Sequence, residues 1–185
     1  MAHILLVEDD DSVRAFTARA LQIDGHTVDQ ADDGDIGLEK AAAKGGGYDL
    51  VVVDKSERTL WVYQDGVAIR TYRGLQFGDA PQGHKRFQGD EKTPEGRYTL
   101  DYANPQSSYY LSLHVSYPNA QDRAYARARG RSAGGDIFIH GQPNALSFDD
   151  RVEGDWTDGC IALSNREIAE LWSLVPDGTP IDIRP

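Results

Sequence analysis

The spacing of apolar positions changes character about a third of the way along the chain. Up to residue 54, short apolar runs alternate with stretches of helical period. Ile4-Leu5-Leu6-Val7 reads as a buried strand ending in Glu8-Asp9-Asp10. Asp11 or Ser12 can cap a helix whose apolar positions Val13, Phe16, Ala20 and Leu21 fall at helical spacing, and Gly25 closes it. Thr27-Val28 begins a second strand, and Gly34 to Lys44 predicts a second helix stopped by Gly45-Gly46-Gly47. Tyr48-Asp49-Leu50-Val51-Val52-Val53-Asp54 is a third strand. Such alternation predicts a parallel α/β unit with right-handed crossovers.

From Val51 onwards the period is that of strands. Thr59 to Gln64 and Val67 to Tyr72 flank Asp65-Gly66, a hairpin signal, so a β meander begins here. Gly74-Leu75-Gln76-Phe77-Gly78 and the Gly89 to Tyr98 stretch, with Thr93-Pro94-Glu95-Gly96, are turns between strands. Tyr98-Thr99-Leu100 and Tyr110 to Val115 alternate as strands, and His114 suits a hydrogen-bonding place on the second. Asp122 to Arg129 predicts a short basic helix ended by Gly130. Ser164 and Glu167 form a capping-box pattern before a helix with Ile168, Leu171, Trp172 and Val175 on one face. Pro180 to Ile183 is a last strand. The fold class is therefore mixed, with a division near residue 50: an α/β fragment over 1–50 and a mainly-β domain over 51–185 that ends in a helix and a strand.

Charge and cysteine content narrow the functions. The 185 residues carry a formal net charge of −11, and residues 1–54, with 12 acidic against 4 basic side chains, hold −8 of it. That balance argues against a nucleic-acid groove or an anionic membrane surface as partner. No apolar run approaches the roughly 20 residues of a membrane span, and MAHILLVEDD is not an export signal. A single cysteine excludes a disulfide within the chain.

That cysteine, Cys160, lies between Gly159 and the apolar Ile161-Ala162-Leu163. Twenty residues earlier, His140 ends Ile137-Phe138-Ile139 and precedes Gly141. A thiol needs a base to become a nucleophile, and a histidine can take its proton and then pass it to a leaving amine. The flanking glycines leave room for a carbonyl and for backbone N–H groups aimed at an oxyanion. A lone cysteine is also commonly a small buried hydrophobe.

The string His140-Gly141 followed at a defined gap by Trp156-Thr157-Asp158-Gly159-Cys160-Ile161 resembles the signature of the L,D-transpeptidase (YkuD-type) catalytic domain. The resemblance implies a twisted β-sandwich and a cysteine acyl transfer at the third residue of a peptidoglycan stem peptide. D-Ala would leave, and a cross-link or lipoprotein link would form. It implies Cys160 as nucleophile, His140 as base and acid, the Gly141 carbonyl as orienter of the imidazole, and amides near Gly159 and Cys160 as oxyanion donors. Trp156, Thr157, Tyr117, Asn119 and Arg123 would meet substrate. Neither a metal nor an organic cofactor is expected, and carbapenems should acylate the same thiol. The alternatives are hydrolysis of the same bonds, by an L,D-carboxypeptidase or a lipoprotein-releasing amidase, and a non-catalytic receiver-type chimera that serves signalling or association. In two places the chain departs from the family pattern: Asp158 replaces a histidine, where it can accept from the loop or pair with the His140 imidazolium, and Ala162 stands where many members carry Arg or Asn.

Residues 1–54 resemble the first half of a response-regulator receiver, the flavodoxin-like fold. The resemblance implies Glu8 and Asp9 as metal-binding acids and Asp54 as phospho-acceptor. The rest of a receiver does not follow, so these acids are expected to be vestigial and the chain to be a fusion, natural or artificial. An open edge of the N-terminal sheet could support self-association. The family acts in the periplasm; this chain, without a signal, is expected in the cytoplasm as written.

Overall fold

The computed structural model describes residues 3–32 and 48–185, and the chain divides into two compact units between residues 47 and 48. The expected second helix, Gly34 to Lys44, and its Gly45–Gly47 stop lie outside the described residues.

In the first unit, β1 (His3–Val7) and β2 (Thr27–Ala31) pair in parallel around α1 (Asp11–Ile23). The cap is Asp10, one residue before the position read from sequence: its carboxylate accepts from the N–H groups of Ser12 (2.8 Å) and Val13 (3.0 Å). Those two bonds hold the Asp10 carboxyl below its usual pKa.

The second unit is one curled, mixed sheet of eight strands: β3 (Leu50–Asp54), β4 (Thr59–Gln64), β5 (Val67–Arg73), β6 (Gly96–Ser107), β7 (Tyr110–Val115), β8 (Ile137–His140), β9 (Ile161–Ala162) and β10 (Thr179–Arg184). Their spatial order is β5-β4-β3-β10-β6-β7-β8-β9. The expected two-sheet sandwich is thus a single sheet. Its length comes from β6, whose 12 residues shift register between Leu100 and Tyr102 and again between Asn104 and Ser107. Bulges of this kind bend a strand and let one sheet wrap around its own core. The β4–β5 hairpin turns at Asp65 (φ 52°) and Gly66 (φ 77°), the doubly positive pair that such a turn needs.

The strand Leu50–Asp54, readable both as the third strand of the α/β fragment and as the start of the β domain, is hydrogen-bonded on one side to β4 and on the other to β10. Val51, Val52 and Val53 are buried, as a strand inside a sheet requires.

Two helices cover this sheet's unit. The first, α2 (Ala120–Arg127), is capped by Asn119 in a reciprocal box with Asp122. The second, α3 (Asn165–Leu174), is capped by Ser164 with Glu167, as its sequence predicts. Ile168, Leu171 and Leu174 of α3 are buried with Leu113, Val115, Ile137, Ile139 and Ile161, alternate positions of β7, β8 and β9. The intervening positions on these strands face the other way, and the candidate site is built on that face. No helix among the described residues is long and apolar enough to cross a membrane.

Candidate active site

β8 and β9 run parallel with Ile139 opposite Ile161 and His140 opposite Ala162. That register sets Cys160 abreast of Phe138, whose N–H donates to the sulfur at 3.4 Å. His140 lies two residues beyond Phe138, so strand alternation puts its ring on the same face as Cys160. Both residues line one cavity of about 700 Å³, together with Tyr109, Trp156, Thr157 and Asp158. The pairing of β8 with β9 therefore brings a thiol and an imidazole twenty residues apart in the chain to the lining of one hollow.

The imidazole is fixed on three sides. Tyr109 stacks on it at 4.7 Å between ring centroids, and Trp156 meets it edge-on at 5.4 Å. Nδ1 lies 2.7 Å from the Gly141 carbonyl. A carbonyl only accepts, so Nδ1 carries the proton and Nε2 keeps its lone pair. Burial pushes the pKa of His140 down to about 4, outweighing the Gly141 bond that raises it. Burial also pushes the Cys160 thiol up to about 11; Phe138 N–H and Lys85 pull it down, while Asp158 and Asp136 push it up. Both groups are therefore neutral at rest, not the ion pair that the bare pairing of residues invites, and the thiol itself is directed to the Asp136 carbonyl at 3.5 Å.

Gly141 has no space for a side chain. A Cβ there would sit 2.4 Å from Asn165 Oδ1 and 2.9 Å from the Tyr109 carbonyl. Its N–H is held by the carbonyls of Tyr109 (3.0 Å) and Leu111 (3.2 Å), which aims its own carbonyl at the imidazole. The next residue, Gln142, is fully buried. Its side-chain amide donates to Gln76 Oε1 (3.0 Å) and the Leu163 carbonyl (2.7 Å) and accepts from Val152 N–H (2.9 Å), while its backbone N–H donates to Asn165 Oδ1 (2.8 Å). Gln76 donates in turn to the carbonyls of Val152 and Gly154 and exchanges backbone bonds with Ala162. These buried amides pin both ends of the 142–156 loop to the sheet.

The cysteine loop is held from two other segments. Gly159 has φ +120°, and a Cβ on it would lie 2.5 Å from the Lys92 carbonyl. Buried Thr93 donates its hydroxyl to the Gly159 carbonyl (2.9 Å), and Thr157 donates its own to the Cys160 carbonyl (2.8 Å). The Gly159 N–H, expected at the oxyanion, is turned to Thr157 Oγ1 at 3.3 Å. Asp155 takes a two-pronged bond from Arg58 (2.7 and 2.6 Å) and accepts from Phe77 N–H (2.9 Å). The Arg58 guanidinium holds the Asp155 carboxyl below its ordinary pKa. The amides of Trp156 and Thr157 then donate to the Phe77 carbonyl. The Gly/Pro-punctuated stretches at 74–78 and 89–98, read as turns, are thus the supports of the cysteine loop.

Of the residues expected to meet substrate, Trp156 and Thr157 line the cavity, and Asp158 is exposed at it. Among the described residues the Asp158 carboxylate makes no hydrogen bond or ion pair; its charge opposes formation of the thiolate. Tyr117, Asn119 and Arg123 do not line this cavity. Tyr117 is buried and donates to the Ala133 carbonyl (3.0 Å), Asn119 is the cap of α2, and Arg123 donates to the Pro118 carbonyl and lines a neighbouring pocket. Tyr109, Lys85, Asp155 and Gln142 were missed by sequence reasoning. No motif or period marks them; only the glycine clusters near Gln76 and Lys92 hinted at close backbone approach.

His114 bonds Asp101 at 2.6 Å and stacks on Tyr102 at 4.6 Å, in a row that reaches Cys160 only through Phe138. Asp54 spends its carboxylate on the 54–57 turn, accepting from Ser56 Oγ (2.7 Å) and Glu57 N–H (2.9 Å). Glu8 accepts from Asp10 N–H within its own unit. Among the described residues no group of three His, Cys, Asp or Glu side chains is placed to hold a metal ion.

Comparison with known proteins bears on the same strands and loop. The YkuD family, the L,D-transpeptidase catalytic domain, matches residues 48–183. The chain belongs to this family. Its matched region is the whole eight-stranded unit apart from the last two residues. YafK of Escherichia coli (strain K12), which bears an L,D-transpeptidase name, is 29% identical over 131 residues, 68% of this chain and 46% of that protein. YkuD of Bacillus licheniformis, named likewise, is 27% identical over 138 residues, 73% of this chain and 65% of that protein. Among solved structures, the helical cell shape determining protein Pgp2 (K307A mutant) from Campylobacter jejuni superposes with a TM-score of 0.59 at 28% identity, over 81% of this chain and 54% of that one. The chain thus spans roughly half the length of YafK and Pgp2. Separately, 51 residues are 51% identical to the transcriptional regulatory protein TcrA of Mycobacterium tuberculosis, which is 28% of this chain and 19% of that protein. A receiver-like stretch rests on short matches of this kind.

Proposed function

We propose that this L,D-transpeptidase-family domain is a working acyltransferase on peptidoglycan stem peptides, with Cys160 as nucleophile and His140 as base and acid. The observation that carries the reading is the shared cavity: Cys160 and a His140 whose Nδ1 is engaged by the Gly141 carbonyl line one hollow. As Sγ attacks the carbonyl of the third stem residue, its proton passes to Nε2 and a tetrahedral oxyanion forms. The Cys160 amide faces that oxyanion, the Gly159 amide being engaged with Thr157. Collapse breaks the C–N bond, and the imidazolium gives its proton to the departing D-Ala amine. Burial makes that imidazolium a strong acid, which favours this second transfer. The thioester then passes to an amine of another stem or of a lipoprotein, or to water in the hydrolytic alternative.

Pgp2, named for determining helical cell shape, fits a domain that works on the cell wall. A receiver-like fragment followed by a catalytic domain belongs to the same proposal, with the limit expected at residue 50 moved to the 47/48 division of the two units, as do vestigial roles for Glu8, Asp9 and Asp54. Intact-mass measurement after carbapenem exposure tests the reading. One adduct is expected on the native protein and none on Cys160→Ala, with D-Ala released from a tetrapeptide stem by the native protein. No adduct on either protein would refute it.

A further inference from the structure

Beside the catalytic cavity lies a second pocket of about 380 Å³, and the two share Ser132 and Gly134 in their walls. Its charged lining is entirely basic: Arg123, Arg127 and Arg131. Among the described residues none of these three makes an ion pair. The acid next in sequence, Asp122, is turned away into the interior, where it accepts from Tyr98 Oη (3.0 Å) and meets His84 (3.0 Å). Three guanidinium groups without a counter-ion, in a chain of net charge −11, form a local reversal of sign that an anion would relieve.

The arginines are also held ready. Arg123 donates to the Pro118 carbonyl, and the guanidinium carbon of Arg131 lies 3.9 Å above the Phe87 ring. After α2, Gly130 turns the chain with φ +65°, and Arg131 N–H bonds back to the Ala126 carbonyl at 3.1 Å. This turn carries the chain directly into Ser132 and Gly134, the residues common to both hollows.

We propose that this arginine pocket is a carboxylate subsite: it takes a non-reacting carboxylate of the peptide whose acyl centre lies at Cys160. This rests on the peptide-substrate reading above and adds what selects the substrate. The forked guanidinium matches a carboxylate with two parallel bonds, a geometry lysine cannot supply.

The test is equilibrium binding to Cys160→Ala, by calorimetry, of two stem tetrapeptides: one with free non-reacting carboxylates and one with those groups as carboxamides. The acid form is expected to bind at least about tenfold more tightly, the scale of a charge-assisted bond. Adding Arg123→Gln, Arg127→Gln and Arg131→Gln together should reduce that ratio to near one and leave the carboxamide's affinity in place. An unchanged melting temperature of the triple variant would show that its fold is retained. A preference that survives the triple substitution, or is absent beforehand, overturns the proposal. So does a triple variant that loses affinity for inorganic phosphate and not for the acid peptide, since that marks a phosphate site. If native protein takes no carbapenem adduct yet the acid preference depends on the arginines, the transferase reading falls and the subsite stands.

Discussion

Because the Gly141 carbonyl holds the proton on Nδ1, burial of the His140 ring acts on an imidazole whose lone pair is left on Nε2. The same burial keeps the proton on Cys160. Below about pH 4 the imidazole is protonated and can accept nothing; near pH 11 the thiol ionises without help. Between those limits the neutral thiol and neutral imidazole that the proposed mechanism needs are both populated. The rate of carbapenem acylation should therefore be flat from about pH 5 to about pH 10 and fall on the acid side towards 4. A preformed thiolate–imidazolium pair would instead react fast with iodoacetamide at neutral pH and show a plateau there. Here alkylation should climb with pH up to about 11. His140→Gln should slow acylation by on the order of 10²–10⁴ while alkylation at pH 10 continues. A neutral-pH plateau in the alkylation of the native protein would show that the pair is ionised at rest.

Elements with local signals were legible in the sequence. The Asp65-Gly66 hairpin, the Ser164–Glu167 box of α3 and the alternation of Tyr110–Val115 each rest on residues within a few positions of one another, and each formed as read. The join of Cys160 to His140 was legible only as a gapped motif. Its supports were not: Thr93, Asp155, Arg58, Gln76 and Gln142 act through contacts 66 to 97 residues apart, which leave no period to read. The single curled sheet was hidden for a related reason, since the bulges of β6 depend on its partner's register. These long-range supports can be tested one at a time. Thr93→Val keeps the shape and strands the buried Gly159 carbonyl, at a cost of about 1–3 kcal/mol. Urea unfolding should show that loss, and carbapenem acylation should slow because Gly159 sets the direction of the Cys160 amide. Native stability in Thr93→Val would mean that the loop is held by Lys92 and Thr157 without it.

At the scale of the whole molecule, the decisive strand is β3. It was readable in either of two frames, as the third strand of an α/β unit or the first of a β domain, because a run of Leu-Val-Val-Val satisfies both. Its partners decide the matter: β4 and β10 occupy its two edges, and its three valines are buried within the second unit. The first unit, by contrast, has Phe16 and Ile23 more than three-quarters exposed on α1. Every hydrogen bond between strands of the eight-stranded sheet lies C-terminal to residue 48, including the bond from Asp49 N–H to the Tyr63 carbonyl (2.9 Å). A chain beginning at Tyr48 should therefore melt cooperatively and take a carbapenem adduct at the native rate. One beginning at Lys55 loses the strand between β4 and β10, splits the sheet, and should neither fold nor react. Circular dichroism melting and adduct mass on the two truncations separate the cases. Failure of the Tyr48 chain to fold would show that the second unit draws on residues 1–47 for its stability.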